Sequence, residues 1–237
     1  MINVSILNKT ITDICGQVKA GRDSIADWKK LTEEELFFEI AVCIIGSQMV
    51  YEHSLAIANK LKKTGLLRET SSFEAAEYHQ QLNIVLSKQI SIKTNNGQRE
   101  IYPRFKNRLA TLISNTVNNI YRVGLSVHDI LTSENSPQKT RKLLVGYVSG
   151  FGPKQASLFL RRVGYCTEMA VLDTHVLDYM KIAYGLEVKP ATLSHLSKYE
   201  KLESKLKELA QDFGYNLGCV DLAMWVTMRV AKREFAL

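Results

Sequence analysis

The sequence predicts an all-α protein. Three observations carry that expectation: apolar residues recur at helical spacing along most of the chain, helix-opening signals separate the apolar runs, and no short run alternates as a strand. Thr32 followed by Glu33, Glu34 and Glu35 reads as a capping box, and Leu36, Phe37, Ile40, Ala41 and Ile44 form the face of the helix it opens. Gly46-Ser47-Gln48 interrupts that helix, and a second runs through Leu55, Ala58 and Leu61 to about Gly65. Residues 91–100, polar and holding Asn96-Gly97, read as a loop. Residues 104–122 put Leu109, Leu112, Ile113, Val117 and Ile120 on one stripe. Ser136-Pro137 opens a helix to about Val148, Pro153 opens the next, and Gly164 closes it. Residues 198–231 read as a helical tail.

The 237 residues suffice for one large domain or two small lobes. No apolar run approaches the ~20 residues that span a bilayer. The start, MINVSILNKTITDIC, lacks the basic opening and apolar stretch of a secretory leader, so a cytoplasmic protein is expected. Cys15, Cys43, Cys166 and Cys219 lie far apart with no C-x-x-C pair, which disfavours a zinc knuckle or a local iron–sulfur loop; they read as reduced, small apolar residues. His53, His79, His128, His175 and His195 show no ligand spacing, so no metal is expected. The formal charge of +7 and the pI near 9.1 point towards a polyanionic partner.

The chemistry concentrates in VSGFGPKQASLFLRRVG, residues 148–164. Two helices are joined there by Ser149-Gly150-Phe151-Gly152, and Ala156 is small enough for close helix packing. Such a turn lets backbone approach a phosphate, and the free amides of the second helix point at it; an ordinary helical hairpin is the plainer reading. Lys154 opens the second helix, and nineteen residues later Val171-Leu172 delivers Asp173 to the N-cap of another. Singly, these are a solvated lysine and a helix cap. Together they are an amine and a carboxylate at helix mouths, a pair able to form a Schiff base at a sugar carbon.

G-F-G-P-K-Q-A-S followed by V-L-D-T-H resembles the helix–hairpin–helix (HhH-GPD) DNA glycosylase superfamily, most closely the compact archaeal-type 8-oxoguanine DNA glycosylase/AP lyase group. The likeness covers roughly residues 30–230 and includes Glu35–Glu39, Ser47-Gln48, Arg104-Phe105-x-Asn107, Asp221 and Trp225 in order. It implies a single glycosylase unit over residues 1–237, built of two helical subdomains, with the hairpin at about 137–163 and the active site in the cleft between the lobes. It implies Lys154 as nucleophile and Asp173 as electrostatic partner. Gly150, Gly152 and Gln48 would contact DNA, and Asp221, Trp225 and Phe105 would hold the flipped base. The expected substrate is duplex DNA carrying a damaged base, the expected enzyme a monomer without cofactor or iron–sulfur cluster, located in the cytoplasm or on the nucleoid.

Two departures stand out. The group usually carries an Asn-containing turn where this chain has Ser47-Gln48-Met49, and a tail ending in lysine where this chain runs on through Lys232 to Leu237. A glycosylase for another modified base, and a hairpin module that only binds DNA, therefore stay open beside the main reading.

Overall fold

The computed structural model describes residues 3–20, 26–47, 49–68, 73–94 and 97–235. Among them the order is α1 (Val4–Ala20), α2 (Glu33–Gly46), α3 (Tyr51–Lys63), α4 (Ala75–Leu86), β1 (Ile90–Thr94), β2 (Gly97–Ile101), α5 (Lys106–Ile120), α6 (Val127–Thr132), α7 (Pro137–Tyr147), α8 (Pro153–Arg162), α9 (Thr174–Tyr184), α10 (Leu196–Asp212) and α11 (Leu217–Phe235). No helix among these residues is long and apolar enough to cross a membrane. Helices dominate, as the apolar spacing predicts. The chain divides into two compact units, Trp28–Phe151 and a second that joins Met1–Asp27 to Gly152–Leu237.

In the Trp28–Phe151 unit the capping box forms as predicted. The Thr32 hydroxyl accepts from the Glu35 amide at 3.3 Å, and the Glu35 carboxylate accepts from the Thr32 amide at 2.8 Å. The next carboxylate works at longer range. Glu33 accepts from the Tyr121 hydroxyl (2.7 Å) and from the Val127 and His128 amides (2.6 and 3.3 Å), placing negative charge on the N-terminus of α6.

The 91–100 segment is not a loop. β1 and β2 pair antiparallel, from Ile90 opposite Ile101 to Thr94 opposite Gly97. Ile90 and Ile92, two residues apart, are buried, which is the alternation of a half-buried strand. Residues 95 and 96, between the paired Thr94 and Gly97, lie outside the described residues. α5 begins at Lys106, three residues ahead of the first residue of its apolar stripe, and Phe105, at its N-cap, sits in left-handed backbone (φ 58°, ψ 33°). That conformation is strained for an aromatic residue. Its ring is half exposed, with the Arg104 guanidinium 5.6 Å from the centroid.

The turn after α7 is tied to α5 by side chains. Thr116 accepts from the Ser149 amide at 3.1 Å, and the Asn119 amide group donates to the Tyr147 carbonyl at 3.1 Å. Gly150 is obligatory here for two reasons: its φ is +85°, and a Cβ would stand 3.0 Å from the Leu112 methyls.

The other unit packs around α11. Leu7, Ile11 and Cys15 of α1, Val176, Leu177 and Met180 of α9, and Val220, Met224 and Met228 of α11 belong to one buried cluster. The predicted helical tail is in fact two helices: Gly214 (φ +70°) ends α10, and the chain turns before α11.

Gly152 is the N-cap of α8, in extended backbone with open space where a Cβ would point. Gly150→Ala is expected to lose about 1–2 kcal/mol through the strained φ, whereas Gly152→Ser, free to add a cap, should lose nothing and gain up to about 1 kcal/mol. Urea unfolding of the two variants checks this; equal losses would contradict it.

Candidate active site

Lys154 stands in the first turn of α8. Pro153 ahead of it carries no N–H, and Gly152 offers no side-chain cap, so the amides of Lys154 and Gln155 open the helix uncapped. Ala156, Phe159 and Leu160 turn the opposite face of α8 into the core. Lys154 is off that face and half buried, and among the described residues its amine makes no hydrogen bond or ion pair.

Asp173 is the N-cap of α9. Its Oδ1 accepts from the His175 amide at 2.9 Å and from the Val176 amide at 3.0 Å. Its Oδ2 accepts no hydrogen bond among the described residues. One oxygen of the half-buried carboxylate therefore builds the helix, and among the described residues the other is not bonded.

The segment leading to Asp173 is apolar and buried: Met169, Ala170 and Leu172 have no exposed surface. Among the described residues no strand pairs with it, yet its buried amides need partners. Side chains supply them. The Ala170 amide donates to Glu203 Oε1 (2.9 Å), the Val171 amide to Asp221 Oδ2 (2.5 Å), and the Leu172 amide to the Tyr199 hydroxyl (3.1 Å). That hydroxyl in turn donates to the Ala170 carbonyl at 2.8 Å.

Asp221 corrects the sequence reading. It was expected to line a base pocket with its carboxylate; instead it is only 2% exposed, and the Arg161 guanidinium donates to both of its oxygens. Arg161 also donates to the Gly218 carbonyl at 2.6 Å. Gly218 lies so close to the 167 carbonyl, to which its amide donates at 3.0 Å, that a Cβ would come within 2.6 Å of that oxygen. Only glycine fits. Arg161, Tyr199, Glu203 and Gly218 were not anticipated from sequence, because nothing in their spacing announces burial.

Trp225 follows Asp221 by one helical turn and is half buried. The Arg229 guanidinium lies 4.9 Å from the centroid of its ring, and His175 meets it edge-on at 6.2 Å. Lys232, in the run-on tail, pairs with Asp178 of α9. Lys154, Asp173, Asp221, Trp225 and Gly152 thus fall within one compact unit, while Gly150 and Phe105 belong to the other. Gln48 lies outside the described residues.

Burial pushes the Asp221 carboxyl up to about 6, against the pull of Arg161 and the Val171 amide, with nearby Asp173 adding to the rise. A folded-state value above the ordinary 3.8 means that the fold favours the protonated form. That contribution is complete at low pH and is lost as pH rises through about 6. The stability of the parent relative to Asp221→Asn is therefore expected to fall by about 2 kcal/mol between pH 4.5 and 7.5. Urea midpoints of both proteins at the two pH values check this, and a gap that widens with pH would contradict it.

A family model described as 8-oxoguanine DNA glycosylase matches residues 22–215. The chain is 40% identical over 100 residues to the 8-oxoguanine DNA glycosylase/AP lyase of Korarchaeum cryptofilum, a match covering 42% of this chain and 46% of that protein, about half the relative's length. Two crystal structures share the fold. The 8-oxoguanine DNA glycosylase of Thermotoga maritima has a TM-score of 0.70 at 22% identity, covering 94% of this chain and 96% of that one. That of Methanocaldococcus jannaschii has a TM-score of 0.70 at 23% identity, covering 93% and 92%. With its model matched across most of the sequence, the chain belongs to the 8-oxoguanine DNA glycosylase family.

Proposed function

We propose that the chain is a bifunctional DNA glycosylase and AP lyase that excises 8-oxoguanine from duplex DNA, acting as a monomer in the cytoplasm. The observation that carries this reading is an amine on α8 and a carboxylate oxygen at the cap of α9, both unbonded among the described residues and held in one unit of a chain from this family.

The target nucleotide leaves the duplex before reaction, since the sugar carbon is unreachable in the stack. The neutral Lys154 amine attacks C1′ as the bond from C1′ to the base breaks, and the base takes up a proton on leaving. Asp173 Oδ2 faces the positive charge that builds on the sugar and stabilises it. Loss of a proton from the nitrogen and ring opening give a Schiff base between Lys154 and C1′. Removal of a C2′ proton then expels the 3′ phosphate, which cuts the strand, and water returns the lysine. The steps use the chain's own amine and carboxylate. The uncapped amides of Lys154 and Gln155, beside Gly152, suit a phosphate oxygen, and the Trp225 ring offers a stacking surface for a base.

Asp221 does not enter this account as a reader of the base, because Arg161 and the Val171 amide occupy its oxygens. With Lys232 also paired, to Asp178, a second reading keeps the same chemistry on another modified base. A panel of duplexes with single lesions separates the two.

Borohydride added to the protein and an 8-oxoguanine duplex is expected to trap a covalent adduct. Lys154→Gln should abolish adduct and strand cleavage while DNA affinity stays within a few fold. A full-strength adduct from that variant would refute the assignment, and a parent that cleaves only another lesion would move the substrate.

A further inference from the structure

We propose that Tyr199, Glu203 and Asp221 are positioning residues for the reaction, holding the backbone of residues 170–172 and thereby fixing where Asp173 Oδ2 lies. The proposal rests on the glycosylase reading above. Successive amides of an extended chain point in opposite directions, and the cradle follows that rule. The amides of Ala170 and Leu172 go to Glu203 and Tyr199, one turn apart on α10, while the Val171 amide between them goes to Asp221 on α11. Tyr199 both accepts from Leu172 and donates to Ala170, the two bonds that a neighbouring strand would provide. Three side chains thus do the work of an absent sheet.

The cradle is dry. Tyr199 has no exposed surface, and Glu203 and Asp221 are 7% and 2% exposed. Water therefore does not replace a lost bond cheaply, and a freed amide shifts the segment rather than rehydrating. Asp173 follows directly in extended backbone (φ −101°, ψ −179°), with Oδ1 committed to the helix cap, so displacement of residues 170–172 is passed on to Oδ2. A shift of about 1 Å at a reacting group costs up to about 10²-fold in rate.

A double-mutant cycle tests the assignment. Tyr199→Phe removes one hydroxyl from a folded protein and is expected to slow single-turnover base release from an 8-oxoguanine duplex about tenfold or more. The dissociation constant for the duplex should stay within about threefold. Glu203→Gln, which keeps an acceptor oxygen, should stay within about threefold of the parental rate, whereas Glu203→Leu should fall with Tyr199→Phe. In an Asp173→Asn background, Tyr199→Phe should cost less than about twofold more, because both changes act through the same carboxylate. A parental rate in folded Tyr199→Phe, or equal losses in the two backgrounds, would overturn the proposal. A parent that releases no base from any duplex sinks the glycosylase reading instead. Amide exchange in the free protein then decides the cradle: protection lost at Leu172 but kept across α9 and α11 upholds it, and unchanged protection at Leu172 overturns it.

Discussion

The ion pair between Arg161 and Asp221 is the constraint on which the candidate site depends. Arg161 lies on α8, two turns beyond Lys154, and Asp221 lies on α11. The same carboxylate takes the Val171 amide two residues before Asp173, and the same guanidinium takes the Gly218 carbonyl. One charge pair thereby links the helix that carries Lys154, the approach to Asp173 and the first turn of α11. The link demands close packing, which is why position 218 has no room for a Cβ. Burying a carboxylate and a guanidinium costs several kcal/mol in lost hydration, and the pair returns that only when geometry and hydrogen bonds are complete. Here the bonds are complete, with both carboxylate oxygens and both terminal guanidinium nitrogens used, yet burial still outweighs the pull of Arg161 on the carboxyl. Losing one partner alone would strand a buried charge, so the two residues stand or fall together.

Around this pair the polar groups divide between building and reacting. Asp173 divides its oxygens in that way: Oδ1 caps the helix, and Oδ2, which accepts no hydrogen bond among the described residues, is the one the proposed reaction would use. The hairpin glycines divide in the same way. Gly150 serves backbone conformation and packing against Leu112, whereas Gly152 leaves open space before uncapped amides. Lys154 keeps its amine free by sitting off the buried face that Ala156, Phe159 and Leu160 define.

The helix start that carries Lys154, the cap at Asp173 and the capping box at Thr32 are legible in the sequence because each is a local pattern: a residue type at a fixed distance from a turn or an apolar run. α1 was passed over although Leu7, Ile11 and Cys15 keep a four-residue period, since polar residues dilute the stripe and only the tertiary cluster reveals its face. The β hairpin was missed because two isoleucines make too short an alternation to stand out. Asp221 is legible as a candidate, but its partners are not. Its spacing to Trp225 shows a shared helix face, yet whether a carboxylate on that face meets solvent or a guanidinium sixty residues away in sequence is a tertiary fact. The Tyr199 and Glu203 bonds to the 170–172 backbone were invisible for the same reason. They depend on a sheet being absent where an extended segment is buried.

If the pair exists to hold Lys154 and Asp173 rather than to stabilise the fold, an apolar pair of similar bulk should still fold but react worse. Buried ion pairs replaced in this way are often neutral or more stable by about 1–4 kcal/mol. The direct measurement is therefore borohydride trapping with an 8-oxoguanine duplex by the double variant Arg161→Met/Asp221→Leu, beside its thermal midpoint. Here the Val171 amide and the Gly218 carbonyl also lose their partners, so the account predicts a variant that still folds, with a midpoint somewhat below that of the parent, and a trapping rate lower by about tenfold or more. A double variant that folds and traps at the parental rate would contradict it.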